Sequence, residues 1–68
     1  MRQVIVYPGG SGFYIVECPS LPGCLSQGKT KEEALGNIKE AIEVYIEALE
    51  DQGLPVPEEK FDSILVAI

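Results

Sequence analysis

The sequence predicts an α+β fold with the element order β-β-β-α-β, in which one helix packs on one face of a mixed four-stranded sheet. Two observations support this prediction. Short runs rich in β-branched and aromatic residues are separated by glycine- and proline-rich turns, and one longer segment repeats apolar residues every three or four positions. A chain of 68 residues suffices for one domain with a thin core. We therefore expect residues 1–68 to form a single domain.

The strands are predicted from runs of β-forming residues. "RQVIVYP" (2–8) and "FYIVEC" (13–18) are joined by "GGSG", which is typical of a hairpin. The prolines of "PSLPG" cannot donate hydrogen bonds to a ladder and predict a turn before a short third strand, "CLSQG". The segment "DSILVAI" (62–68) ends in a continuous apolar run, which suits a buried parallel strand beside the first. A right-handed crossover would then give the strand order 3-2-1-4.

The helix is predicted between Thr30 and Gly53. Thr30 and Glu33 have the spacing of a capping box, in which two side chains satisfy free backbone N–H groups. Gly53 stands where a helix end commonly needs a residue with positive φ. The apolar face predicted to be buried consists of Leu35, Ile38, Ile42, Tyr45 and Leu49. Because one helix covers only one sheet face, we expect a second copy to cover the other, as a homo-oligomer.

Charge and hydropathy exclude several functional classes. The formal net charge is −6 with only five Lys and Arg residues, which disfavours direct DNA binding by this chain and suits a basic partner. No apolar run approaches the ~20 residues of a membrane span, and the N-terminus lacks the pattern of a signal peptide. The sequence therefore predicts a cytoplasmic protein without membrane contact.

The residues that usually hold metals or perform catalysis are scarce. Histidine is absent, and Cys18 and Cys24 are the only cysteines, whereas a zinc site needs about four ligands. A disulfide is geometrically conceivable, but reduced, buried thiols are the favoured interpretation. Glu17 is a lone carboxylate near the strands, and the histidine that a nucleophilic triad would use as its base is absent; paired carboxylates remain possible among the eleven acids, although most of these fall on the helix. We predict no catalytic residue, no metal and no cofactor.

Acidic residues concentrate on the predicted helix. They lie on the arc opposite the Leu and Ile stripe: Glu32, Glu33, Glu40, Glu43, Glu47, Glu50 and Asp51. Such a face is usually solvated, and the alternative is a docking surface for a basic partner. For the second interpretation the candidate partner-binding residues are Glu40, Glu43 and Glu47.

The segment from Cys18 to Glu59 resembles the signature of HicB-like antitoxin domains. In that family a Pro-x-Leu-x-Gly-Cys turn precedes Gly-x-Thr-x-Glu-Glu-Ala, a helix with Asn, Glu-Ala-Ile and Tyr, and a final Gly-x-x-x-Pro. The matching positions are Pro19, Leu21, Gly23, Cys24, Gly28, Thr30, Glu32, Glu33, Ala34, Asn37, Glu40, Ala41, Ile42, Tyr45, Gly53 and Pro57. The positions interpreted as structural turn and helix cap are Pro19, Leu21, Gly23, Thr30, Glu33 and Gly53.

The resemblance implies a degenerate RNase H-like fold and a binding role. Family members commonly neutralise HicA, a small basic toxin that cleaves mRNA, so the implied partner is a HicA-type toxin. The first strand, "RQVIVY", and "ILVAI" in the last contain no carboxylate from which the metal site of an active RNase H could be built, which is why we expect no enzyme activity. Many members continue into a DNA-binding module, and we expect none in residues 1–68. The alternative is a stand-alone oligomeric domain with another ligand or residual nuclease activity.

Overall fold

The computed structural model describes residues 2–59 and shows a sheet covered by one helix. The elements are β1 (Ile5–Gly10), β2 (Phe13–Glu17), β3 (Leu25–Gly28) and α1 (Lys31–Asp51). The strands follow one another in the order β1-β2-β3, and both neighbouring pairs are antiparallel.

The prediction of a mixed four-stranded sheet with the order 3-2-1-4 is wrong. Within residues 2–59 the sheet has three strands and is antiparallel throughout. Short turns join consecutive strands, and such turns reverse the chain direction, so each strand runs opposite to its neighbour. The predicted last strand at 62–68, on which the mixed topology depended, lies outside the described residues.

The hydrogen-bonding phase of the β2–β3 ladder follows from one backbone bond. The Cys18 N–H donates to the Cys24 carbonyl at 3.0 Å. Bonded and non-bonded pairs alternate along antiparallel strands, so the backbone groups of Ser26 point towards β2 and those of Leu25 and Gln27 point away. The Gln27 carbonyl indeed accepts a bond from elsewhere, from Asn37 Nδ2 at 2.7 Å. Among residues 2–59 no further strand pairs with β3, so in this part of the chain its open edge is formed by the backbone of Leu25 and Gln27.

Strand β1 extends past the proline at which the sequence predicted its end. Pro8 pairs with Tyr14, and a register shift follows between Pro8 and Gly10. By the same alternation Tyr14 bonds through its backbone to β3, so the opposite residue, Pro8, directs its backbone away from β2. A proline at that position removes no ladder hydrogen bond, which explains why the strand tolerates it.

The core lies between the sheet and α1. The buried side chains come from β2, the turn between β2 and β3, and the first half of α1: Val16, Cys18, Leu21, Cys24, Ala34 and Ile38. Along the strands every second residue faces this core. The other sheet face exposes apolar side chains, with exposed fractions of 37% for Ile5 and 38% for both Tyr7 and Phe13.

The buried face of α1 is centred differently from the prediction. Leu35, expected in the core, is 45% exposed, whereas Ala34 is fully buried. The cause is a close approach at Gly28, where a methyl group would lie 2.5 Å from the backbone nitrogen of Ala34. At such a short separation only a small helix residue fits against β3, so α1 packs on the sheet through Ala34 and Ile38.

Candidate partner-binding surface

The segment between β2 and β3 is built from two consecutive β-turns. The Leu21 N–H donates to the Cys18 carbonyl, and the Cys24 N–H donates to the Leu21 carbonyl, both at 3.0 Å. Pro19 and Pro22 occupy the second position of the two turns, where the fixed φ of proline is favourable. In the second turn Gly23 has φ of 81°, as the third residue of a type II turn requires.

Side chains attach this turn to the rest of the fold. Leu21 is fully buried in the core, and the Tyr45 hydroxyl donates to the Pro22 carbonyl at 2.8 Å. Arg2 donates to Ser20 Oγ at 2.9 Å and to the Pro57 carbonyl at 2.6 Å. Sequence reasoning missed Arg2, because no motif signals its bonds to residues so distant along the chain. The turn is thereby fixed to the helix, the N-terminal segment and the segment after α1.

The two cysteines belong to the core. Both are free thiols, with exposed fractions of 2% for Cys18 and 4% for Cys24. Burial raises the pKa of the Cys24 thiol, and the nearby Cys18 raises it further. A raised pKa keeps the thiol protonated and poorly nucleophilic at neutral pH. This position is therefore unsuited to thiol chemistry in the folded state.

Local hydrogen bonds define both ends of α1. Thr30 is the N-cap, and its Oγ1 accepts a bond from the Glu33 N–H at 3.0 Å. At the other end Gly53 has φ of 69°, and its N–H donates to the Glu50 carbonyl at 3.0 Å. The Leu54 N–H donates to the Leu49 carbonyl at 2.9 Å, which completes a Schellman motif. Both ends fix which residues of the helix face solvent.

The predicted partner-binding residues share the solvent side of α1. Glu40, Glu43 and Glu47 are all exposed, and they lie on the side of the helix opposite Ala34 and Ile38. The structure thus brings the three carboxylates onto one surface. The turn and cap residues lie at the two ends of α1 and beside β3, and among them only Glu33 shares the solvent side of the helix with these three carboxylates.

A groove adjoins the acidic surface and was missed in the sequence. It lies between the open edge of β3 and α1 and has a volume of about 490 Å³. Its lining comprises Gly23, Cys24, Leu25 and Ser26 on the strand side and Asn37, Glu40, Ala41, Val44 and Tyr45 on the helix side. Val44 is 65% exposed and Leu25 is 57% exposed. The signal available in the sequence was Val44, an apolar residue that lies outside the predicted apolar stripe.

The described residues offer no arrangement that would hold a metal ion. Within residues 2–59, no group of three or more Cys, Asp or Glu side chains is placed to share one ion. Glu17, the one acid near the strands, is half-buried at the end of β2. No helix among these residues is both long and apolar enough to cross a bilayer.

Comparison with known proteins identifies the family. The profile of the HicB-like antitoxin of bacterial toxin–antitoxin systems matches residues 3–65. The chain belongs to the HicB-like antitoxin family. A UPF0150 protein of Thermoplasma acidophilum is 49% identical to it over 63 residues, which cover 93% of this chain and 91% of the relative. The recognition of the HicB-like signature is thereby confirmed.

Two further UPF0150 proteins are similar over shorter stretches. One from Synechocystis is 58% identical over 48 residues, covering 71% of this HicB-like chain and 61% of the relative. One from Archaeoglobus fulgidus is 43% identical over 44 residues, covering 65% of the chain and 64% of the relative. The chain thus spans less than two thirds of these two proteins. No solved structure matches it.

Proposed function

We propose that this protein is an antitoxin that neutralises a small basic toxin of the HicA type, which cleaves mRNA, by covering it through protein–protein contacts. The observation that carries the proposal is the exposed acidic side of α1, presented by a chain of the HicB-like antitoxin family with a net charge of −6. An acidic surface complements a basic toxin in sign, and complementary charge speeds association and excludes partners of like charge.

The proposed role is binding without catalysis. Within residues 2–59 no carboxylate cluster is placed to share a metal ion, and the chain contains no histidine to serve as a base. The thiols are buried, and the pKa of Cys24 is raised. Membership of an antitoxin family supports the same role. We therefore propose that the toxin is inhibited by being masked, in the cytoplasm where mRNA is cleaved.

We further propose that the domain formed by residues 1–68 self-associates and does not bind DNA by itself. Self-association is supported by the apolar sheet face that exposes Ile5, Tyr7 and Phe13. The absence of DNA binding is supported by the net charge of −6, since phosphate contacts require clustered Lys and Arg.

Co-expression with the neighbouring gene product tests this function. A short, lysine-rich protein encoded beside this chain is expected to arrest growth alone, to be harmless with this chain, and to co-purify with it. An unrelated acidic protein of similar size serves as the control for charge alone. Growth arrest that this chain does not relieve, or relief without co-purification, would contradict masking and favour another ligand for a stand-alone domain.

A further inference from the structure

We propose that the open edge of β3 and the adjoining groove bind an extended, basic segment of the partner protein, which adds to the sheet as a further strand. This inference deepens the proposed antitoxin function and rests on it. It adds the edge of β3 and the groove to the acidic side of α1 as places where the partner is bound. Strand addition uses main-chain hydrogen bonds for affinity and neighbouring side-chain pockets for specificity.

The backbone of β3 provides the hydrogen-bonding groups. The phase of the β2–β3 ladder, fixed by the bond from Cys18 N–H to the Cys24 carbonyl, turns Leu25 and Gln27 outwards. Leu25 thus presents both its N–H and its C=O at the edge. In an antiparallel sheet one residue with both groups free can form two hydrogen bonds with the opposite residue of an added strand. Gln27 adds its N–H.

Asn37 limits how much of this edge is open. Its Nδ2 donates to the Gln27 carbonyl at 2.7 Å, so this acceptor is already satisfied in the free protein. Unpaired strand edges are liable to indiscriminate pairing, and blocking part of the edge reduces that liability. The open part is therefore short and centred on Leu25, directly beside the groove.

The groove has the dimensions and lining for the side chains of an added strand. A strand paired with β3 would lie about 4.8 Å from it, on the side where the groove separates β3 from α1. Ala41 and Val44 line the helix side, and the 65% exposed Val44 offers apolar surface that a partner would bury. The volume of about 490 Å³ accommodates several side chains of an extended segment.

Charge selects a basic segment over a second copy of this chain. Glu40 lines the groove, and Glu43 and Glu47 are exposed further along the same helix. Two copies paired through β3 would bring their grooves, each lined by Glu40, together in chains that both carry a charge of −6. Alternating Lys or Arg side chains on a partner strand would instead meet carboxylates at the groove.

Amide hydrogen exchange measured by NMR tests the site with a defined probe. The probe is a short synthetic peptide of alternating lysine and valine, and its control alternates glutamate and valine. In the free protein the Leu25 and Gln27 amides are expected to exchange faster than the Ser26 and Gly28 amides, which face β2. The basic peptide is expected to slow exchange at Leu25 and Gln27 at least tenfold, and the acidic peptide to leave it unchanged.

Two variants with the same change of charge locate the contact. Val44→Lys places a cation in the groove and is expected to weaken binding of the basic peptide about tenfold, equivalent to about 1.4 kcal/mol. Leu35→Lys replaces another exposed aliphatic residue of α1 outside the groove and is expected to have little effect. Proton spectra of both variants verify the fold.

Three results would overturn the strand-addition site. The first is an unchanged amide exchange rate at Leu25 and Gln27 in the presence of the basic peptide. The second is an equal loss of peptide affinity in Val44→Lys and Leu35→Lys. The third is protection of the β3 amides that rises with protein concentration in the absence of peptide, which would assign the groove to a second copy. None of them depends on the toxin assay. A chain that neutralises the toxin without edge protection would retain the proposed function and lose only this site.

Discussion

Gly28 determines how closely β3 and α1 approach each other. It is buried, and a side chain there would meet the helix backbone, at 2.5 Å from the nitrogen of Ala34 and 2.9 Å from the carbonyl carbon of Glu33. Backbone atoms cannot move aside as a flexible side chain can. The position thus requires glycine because of space, since its φ is not in the left-handed region.

Two matched substitutions separate this effect from helix propensity. Gly28→Ala is expected to lower the free energy of unfolding by about 1–3 kcal/mol, because α1 must move away from β3. Gly36 lies in the exposed part of α1, where an added methyl group would meet no atom within 4 Å. Gly36→Ala is therefore expected to raise the free energy of unfolding by about 0.5–1 kcal/mol. Urea denaturation measures both. A neutral Gly28→Ala would show that the contact is looser than described.

Cys24 makes the stability depend on pH in a predictable direction. Burial, reinforced by the nearby Cys18, raises the pKa of the Cys24 thiol above its value of about 8.5 in an unfolded chain. The folded state therefore holds this proton more tightly. Its contribution is complete below about pH 8.5 and is lost as the pH rises towards the raised pKa.

The expected result is a decline of the urea midpoint above about pH 8.5 that is shallower in Cys24→Ala. The comparison uses the slopes, because the substitution itself removes core volume. Alkylation of the native thiols at neutral pH is expected to be much slower than in urea. Equal slopes in the two proteins, or rapid alkylation of the native protein, would contradict a buried, protonated Cys24.

At the scale of single elements, the ends of α1 are encoded locally. The N-cap bond joins Thr30 to Glu33, and the Schellman bonds at the other end connect residues within one turn. Hydrogen bonds between residues so close along the chain can be predicted from local sequence motifs. The same holds for the double turn after β2, where two prolines and Gly23 specify the backbone.

The N-cap provides a prediction for this element. Thr30→Ala removes the acceptor for the Glu33 N–H and is expected to cost about 1 kcal/mol of folding free energy. Thr30→Ser keeps a hydroxyl at the same place and is expected to stay within a few tenths of the original value. Thermal or urea unfolding of the two variants makes the comparison. Equal losses would mean that the threonine methyl group, and not the hydrogen bond, stabilises this end.

Longer-range features of the fold were less accessible from the sequence. The three described strands and the helix lie close to where the sequence predicted them, but the mixed sheet was wrong because the pairing of strands depends on contacts between distant segments. The predicted helix stripe included Leu35, which is exposed, and left out Ala34, which is buried, since periodicity does not reveal the close approach at Gly28. The groove was missed for the same reason. It arises from the spacing between β3 and α1, which no local motif specifies.

At the scale of the whole molecule, two surfaces of different chemistry lie on opposite sides. One sheet face exposes Ile5, Tyr7 and Phe13, whereas the far side of α1 exposes carboxylates. An apolar face carries little charge to repel a second copy, and the acidic side does. The molecule is therefore suited to self-association through the sheet while the helix side and its groove stay available to a basic partner.

Self-association through the sheet predicts a particle larger than the 7.4 kDa chain. Light scattering at micromolar concentration is expected to give at least a dimer. Phe13→Lys, which places a charge in the exposed apolar face, is expected to shift the protein towards the monomer. Leu35→Lys, on the helix, is the matched control and is expected to keep the original mass. A monomeric unmodified protein would contradict the proposal, and so would equal effects of the two variants.

The acidic side of α1 yields the last prediction, which concerns the rate of toxin binding. Glu40, Glu43 and Glu47 are exposed, so each ion pair with a partner contributes only ~0–1 kcal/mol. Their combined field acts over about 10 Å at moderate salt and steers a basic protein during approach. Replacing all three with Gln is expected to preserve the fold, because none of them contacts the core.

The triple variant is expected to associate several-fold more slowly at low salt and to show a flatter dependence of the on-rate on ionic strength, while dissociation changes less. Stopped-flow binding to the co-purified toxin, in a salt series, measures both quantities. A variant with Glu32→Gln, Glu50→Gln and Asp51→Asn, elsewhere on the acidic arc, removes the same three charges and provides a control for the general loss of charge. Because steering depends on where the charge lies, an equal slowing by this control would assign the effect to net charge. Unchanged on-rates in the triple variant would instead show that this side of α1 is solvated in the complex and that the toxin approaches through the groove or the sheet.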